Sequence, residues 1–231
     1  MVSVERASRA YRSSGRRAQA RLTRRRVVEA ATAVFLERGF AGSTMRVIAS
    51  RAGVSVPTVE LLFGTKGRLL KAAIDVAIVG DDEPVPVLDR SWTDVAVQAD
   101  TIEEFLATVA SVLGPAQQRS AGLVLAVFEA AVSDTELAEL AREMTAQRAT
   151  TAGWIVEQLI RKAPLRDGCS RQEAVDTVWI LMDPAVFDRL TRQRDWTLQQ
   201  YRRWFAGSVG RLLIGDTSSP QPTATARRRS T

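Results

Sequence analysis

Thr44, Ser55 and Thr65 are hydroxyl residues that each open a short run of helical spacing, and Lys66 follows the last of them directly. A hydroxyl at a helix start accepts a bond from a backbone N–H in the first turn. The other N–H groups there face outward with the positive end of the helix dipole. That is phosphate-binding chemistry. Thr44, through its hydroxyl or N–H, and Lys66, as a point charge, are the phosphate candidates. Pro57 sits in the first turn after Ser55, where its missing N–H has no intrahelical acceptor to lose. Ala49 is small where two helices would cross, Gly53 permits a tight turn, and Val54 can fill the core beneath it. Two short helices joined in this way, the second with a polar and open start, form the helix-turn-helix pattern, which lays its second helix in a major groove.

Other chemistries are excluded or left without support. The chain has no His, so a Ser-His-Asp arrangement and His-containing zinc sites are impossible. It contains no G-x-G-x-x-G, P-loop or G-x-S-x-G motif. The one cysteine, Cys169, has no His to activate it and no partner for an internal disulfide, which fits a reducing cytoplasm. The expectation is a non-enzymatic protein without cofactor or metal. The longest nearly apolar run, Gly122–Phe128, is far short of the ~20 residues a membrane helix needs, and no apolar stretch of secretory type follows the basic start. A cytoplasmic location without membrane contact is expected.

The net charge of +6 is unevenly spread. Residues 1–26 carry nine arginines against Glu5, whereas residues 81–215 carry fourteen basic and twenty acidic side chains. A polyanion partner for the N-terminal part alone follows from that asymmetry.

The elements that must position these residues are all helical. Residues 1–18 are Arg-rich with little apolar content and read as a disordered basic arm. From about Gln19, Val27, Ala30, Ala31, Val34 and Phe35 recur at helical spacing, with Gly39 at the C-cap. The acidic loop Gly80–Asp89 marks the boundary region. Beyond it, apolar periodicity predicts helices over Thr101–Leu113, Ala116–Val132 (separated by Gly114-Pro115), Asp134 to about Ala163, Ser170 onward with an interruption at Asp183-Pro184, and Leu198–Ile214. The expected fold is all-α, about nine helices: an N-terminal three-helix helix-turn-helix domain and a C-terminal helical bundle. The expected domains are the arm 1–18, a DNA-binding domain 19–65, a ligand-binding and dimerisation domain 66–215, and a disordered tail 216–231.

Residues 19–75 resemble the DNA-binding domain of the TetR family of bacterial transcriptional regulators. The resemblance is carried by Phe35-Leu36-Glu37-Arg38-Gly39-Phe40, Thr44-Met45-Arg46-Val47-Ile48-Ala49, Ala52-Gly53-Val54-Ser55, Pro57-Thr58-Val59 and Phe63-Gly64-Thr65-Lys66 with Leu69-Leu70. It implies an all-α homodimer that binds a palindromic double-stranded DNA operator and is released by a small-molecule effector. By the same resemblance Val56, Pro57 and Thr58 face base edges after the cap Ser55, Thr44 and Lys66 meet phosphates, and Arg46 makes a backbone contact. The chain departs from the family pattern at Glu60, where an aromatic phosphate contact is usual, and at Leu61 and Leu62. Glu60 leaves three readings open: a base reader, a carboxylate that weakens binding uniformly, or an ion-pair partner of Arg51 or another arginine of the chain. The alternative function is the same fold acting through protein partners or without a ligand, with weakened operator binding.

The C-terminal bundle has two jobs available, enclosing a pocket and dimerising. The pocket candidates are Phe105, Val109, Leu125, Phe128, Glu129, Trp154, Gln158 and Trp179, with Glu129 as an acid toward a cationic or hydroxylated ligand. The expected dimer interface is Val175, Leu190, Tyr201, Trp204, Phe205, Val209 and Leu212, on the last helices.

Overall fold

The computed structural model describes the backbone of residues 2–215 other than 82 and 84, with side chains from residue 18 onward. It contains α1 (Val2–Arg38), α2 (Met45–Ala52), α3 (Val56–Phe63), α4 (Lys66–Val79), α5 (Trp92–Gln98), α6 (Ile102–Ala130), α7 (Thr135–Lys162), α8 (Arg171–Leu181), α9 (Pro184–Asp188) and α10 (Leu198–Leu213). A 3-10 turn at Val87–Asp89 precedes α5, and a π turn at Arg189–Gln193 follows α9. The extended pairing among the described residues is a single bridge between Leu165 and Ile214. No described helix is long and apolar enough to cross a membrane.

Most starts follow from capping. Thr44, Ser55, Thr65, Asp134 and Asp183 each accept a first-turn N–H. Thr101 with Glu104, Ser170 with Glu173 and Thr197 with Gln200 form reciprocal capping boxes. The left-handed Gly53 ends α2, and Val54 N–H donates to the Ala49 carbonyl at 3.0 Å, closing the turn.

Two expectations are corrected, and one helix is added. Helix α1 runs back to Val2, so the segment read as a disordered arm has helical backbone; it holds five Arg and three Ala and meets no proline. Gly114-Pro115 does not divide α6, which continues to Ala130. A proline inside a helix removes one bond and strains the preceding turn, but here tertiary packing outweighs it. A Cβ at Gly114 would lie 2.7 Å from Arg202 Cγ and 3.1 Å from Leu198 Cδ1, so only glycine lets α10 lie this close. Helix α5 occupies a stretch that gave no helical signal. The tail 216–231 lies outside the described residues.

Val27, Val34 and Phe35 of α1 share a core with Ile48, Val59, Leu69 and Leu70. The same core continues to Leu123 and Val127 of α6 and Leu137 of α7. Helix α4 therefore belongs to both halves. A second core joins Phe105, Ile155, Leu159, Val178 and Phe205.

Candidate nucleic-acid interface and the cavity behind it

Helix α3 buries Val59 and Phe63 and turns Pro57, Glu60 and Leu61 outward. Leu61 is 87% exposed, which is unusual for a large apolar side chain and gives this face a hydrophobic spot beside a carboxylate. Ser55 Oγ accepts from Thr58 N–H at 3.3 Å and lies 2.8 Å from Thr58 Oγ1. Val56 and Thr58 are half-buried at the edges of this face. Thr44 and Arg46 are exposed at the start of α2. The local sequence thus brings Thr44, Arg46, Ser55, Pro57 and Glu60 together as exposed groups.

Glu60 does not pair with Arg51. The Arg51 guanidinium donates to Glu37 at 2.7 Å, a bond that lowers the Glu37 pKa and raises that of Arg51. Among the described residues the Glu60 carboxylate has no ion-pair partner. That leaves the base-reading and uniform-weakening alternatives.

Lys66 stands differently from the expectation. Its Nζ donates to the carbonyls of Phe40 at 2.8 Å and Ser43 at 2.9 Å and lies 3.9 Å from the Phe40 ring centre. Burial pushes its pKa below the ordinary lysine value, while Asp134 acts in the opposite sense. Two of its three donors hold the α1–α2 loop, and with it Thr44, in place.

Two arginines of the basic N-terminal stretch also work as staples. Arg26 Nη2 donates to Ala52 O at 2.6 Å, at the C-terminal end of α2. Arg24 lies 4.4 Å over the Phe63 ring and reaches Leu62 O at 3.4 Å, at the end of α3. Unpaired carbonyls at helix ends attract cations. Nothing in a run of arginines distinguishes these two from the rest; contacts 26 and 38 residues apart exist only after folding.

Helix α4 is gripped at both ends. At its start, Thr65 Oγ1 donates to Glu136 of α7 at 2.6 Å. A Cβ at Gly67 would sit 2.7 Å from that carboxyl carbon, so the glycine permits the approach. At its end, Arg119 of α6 donates from Nε to Ala77 O at 2.7 Å and from Nη2 to Ile78 O at 3.0 Å.

Beside this second grip lies a cavity of about 470 Å³ between α4, α5, α6 and α7. Of the predicted pocket residues, Val109 and Phe128 line it. Phe105 and Gln158 are buried in the core, and Trp154 packs on Trp92 and Phe105. Leu125 is half-buried and off the wall. Glu129 is exposed and does not line the cavity: it falls on the solvent side of α6. Trp179 lies against the Arg148 guanidinium at 4.3 Å and lines a separate, open cleft with Phe128 and Val175. The arginines of the cavity, Arg90, Arg119 and Arg148, were not legible as pocket residues.

The predicted interface is corrected as well. Tyr201, Phe205 and Val209 are 0% exposed within one chain, so they are core and not a mating surface. Burial pushes the Tyr201 phenol well above the usual tyrosine range. Val175, Leu190 and Trp204 are half-buried. Leu212 is 40% exposed and, with Ile180 at 52%, lies on the outer side of α8 and α10.

A glycine-turned helix pair with an open polar start, tied through one shared helix to a larger helical domain, is the architecture of a helix-turn-helix transcriptional regulator. Residues 27–73 match the family model of bacterial regulatory proteins, tetR family. That match spans the helix-turn-helix, from within α1 into α4. It is 26% identical over 158 residues to YdeS, an uncharacterized HTH-type transcriptional regulator of Bacillus subtilis (strain 168), covering 68% of this chain and 74% of that one. Its fold is similar to the transcriptional regulator FadR from Bacillus subtilis in complex with stearoyl-CoA, with a TM-score of 0.62, 19% identity, and 80% and 96% of the two chains covered. It is also similar to a transcriptional regulator from Saccharomonospora viridis in complex with choline, with a TM-score of 0.60, 17% identity, and 83% and 97% covered.

Proposed function

We propose that the protein is a homodimeric repressor that binds a palindromic operator and is released by a small molecule occupying the cavity. The observation that carries this reading is α4, which shares a core with the helix-turn-helix and is gripped at its end by Arg119 from the cavity wall. A ligand that displaces that grip acts on the position of α3. That FadR holds stearoyl-CoA and the Saccharomonospora protein holds choline is consistent with a ligand site in such bundles.

In this reading residues 19–65 form the DNA-binding unit. The first turn of α3, with Ser55, Val56, Pro57 and Thr58, enters the major groove, and Leu61 adds an apolar surface for a thymine methyl. Thr44 and Arg46 meet the backbone, while Lys66 holds their loop and keeps one N–H for phosphate. Residues 66–215 bind ligand and dimerise through the outer side of α8 and α10 at Ile180 and Leu212. The protein acts as a cytoplasmic regulator without catalytic activity of its own.

The test is selection of bound fragments from random DNA with the full chain. A palindrome with half-sites about one turn apart, ~34–36 Å, is expected. Because Glu60 presents an unpaired carboxylate on the same face, a second reading has the fold act through protein partners. Absence of any enriched sequence would refute operator binding and leave that second reading.

A further inference from the structure

The cavity wall holds three arginines and no Asp or Glu. Two of the three are neutralised within the chain. Arg90 bonds Asp81 at 2.7 and 2.9 Å, and Arg148 bonds Asp183 at 2.8 Å. Arg119 has only the neutral carbonyls of Ala77 and Ile78, and among the described residues no carboxylate pairs with it. A guanidinium carries five N–H donors, and two of these are used. The side chain is exposed, whereas Leu113, Val124, Phe128 and Ile155 supply an apolar interior. A volume of about 470 Å³ falls in the range of drug-sized ligand sites, roughly 300–1,000 Å³.

We propose that the cavity takes an amphipathic organic carboxylate, its head held at the mouth by Arg119 and its apolar body inside. The inference rests on the ligand-responsive reading above and names the ligand class for it. An unpaired cation at the mouth favours a head that keeps part of its hydration, because a carboxylate moved fully into the interior loses too much solvation. A wall with a net positive charge repels a cationic head, so the cationic ligand considered for Glu129 has no counter-charge here. The fork of Arg119 matches a carboxylate, and a charge-assisted bond of this kind is roughly twice as strong as one to a neutral acceptor. A bound carboxylate draws on the same guanidinium that holds the last carbonyls of α4, and so acts on that grip.

The test uses the full chain without DNA, so that its failure is separate from a failure of operator binding. Dodecanoate, dodecanol and dodecyltrimethylammonium are titrated below their micellar concentrations and followed by calorimetry. Dodecanoate is expected to bind about tenfold tighter than dodecanol, as one charge-assisted pair allows, and the ammonium weakest. In Arg119→Gln the gap between dodecanoate and dodecanol should fall below about threefold while dodecanol affinity stays the same, which reports an intact cavity. Arg119→Lys should keep part of the gap. Equal binding of acid and alcohol, preference for the ammonium, no binding of dodecanoate, or a full gap in Arg119→Gln would each overturn the proposal.

Discussion

Arg26 separates two readings of the basic N-terminal stretch, and replacing it with methionine tests them. The stem of Met retains the packing of the side chain but loses the bond to Ala52 O at 2.6 Å. Hydrogen bonds from charged donors contribute ~1.5–3 kcal/mol when well shielded, and a cation at a helix C-terminus adds ~0.3–1 kcal/mol at the surface. Arg26 is exposed overall, so the lower end applies and a loss of about 1 kcal/mol is expected. For a chain of this size that shifts the midpoint by roughly 2–4 °C, measurable by circular dichroism or calorimetry. The salt dependence of DNA binding should stay as it is, because in the staple reading Arg26 serves the end of α2 and meets no phosphate. If the midpoint is unchanged and the slope of log K against log salt falls by ~0.9, Arg26 is a phosphate contact and the staple reasoning is wrong.

Glu60→Tyr should tighten binding to every DNA sequence and leave the preferred operator unchanged. Weaker operator binding with relaxed choice of one base pair, worth ~1–3 kcal/mol, would make Glu60 a base reader. Ile180→Arg with Leu212→Arg should give folded monomers in sedimentation that lose operator binding, whereas Phe205→Arg should unfold the bundle by burying a charge; a folded Phe205→Arg monomer would restore the original interface. Asp81 is held at a pKa of about 2, first by its bond from Arg90 and then by one from Glu83 N–H. A depressed carboxyl contributes stability above its ordinary value of 3.8 that is lost as pH falls through about 2. Carboxyl shifts in an NMR titration should show this midpoint, and Arg90→Gln should raise it; an unmoved midpoint would refute the assignment.

The helix-turn-helix was readable because its causes are local. Thr44, Ser55 and Thr65 cap within three residues, Gly53 takes the left-handed turn, and Val59 and Phe63 are one turn apart. The long helices α7 and α10 were legible from the Asp134 cap of the first and the apolar spacing along both. What periodicity leaves open is the partner of an apolar stripe. Tyr201, Phe205 and Val209 have the same spacing whether they meet α6 of their own chain or a second copy, and only the packed bundle assigns them to the core. Arginines are ambiguous in the same way. Arg26, Arg119 and Arg148 owe their roles to acceptors 26, 42 and 35 positions distant along the chain. A guanidinium on a long stem takes its meaning from the carbonyl or carboxylate that folding brings within 3 Å, and no local pattern encodes that approach.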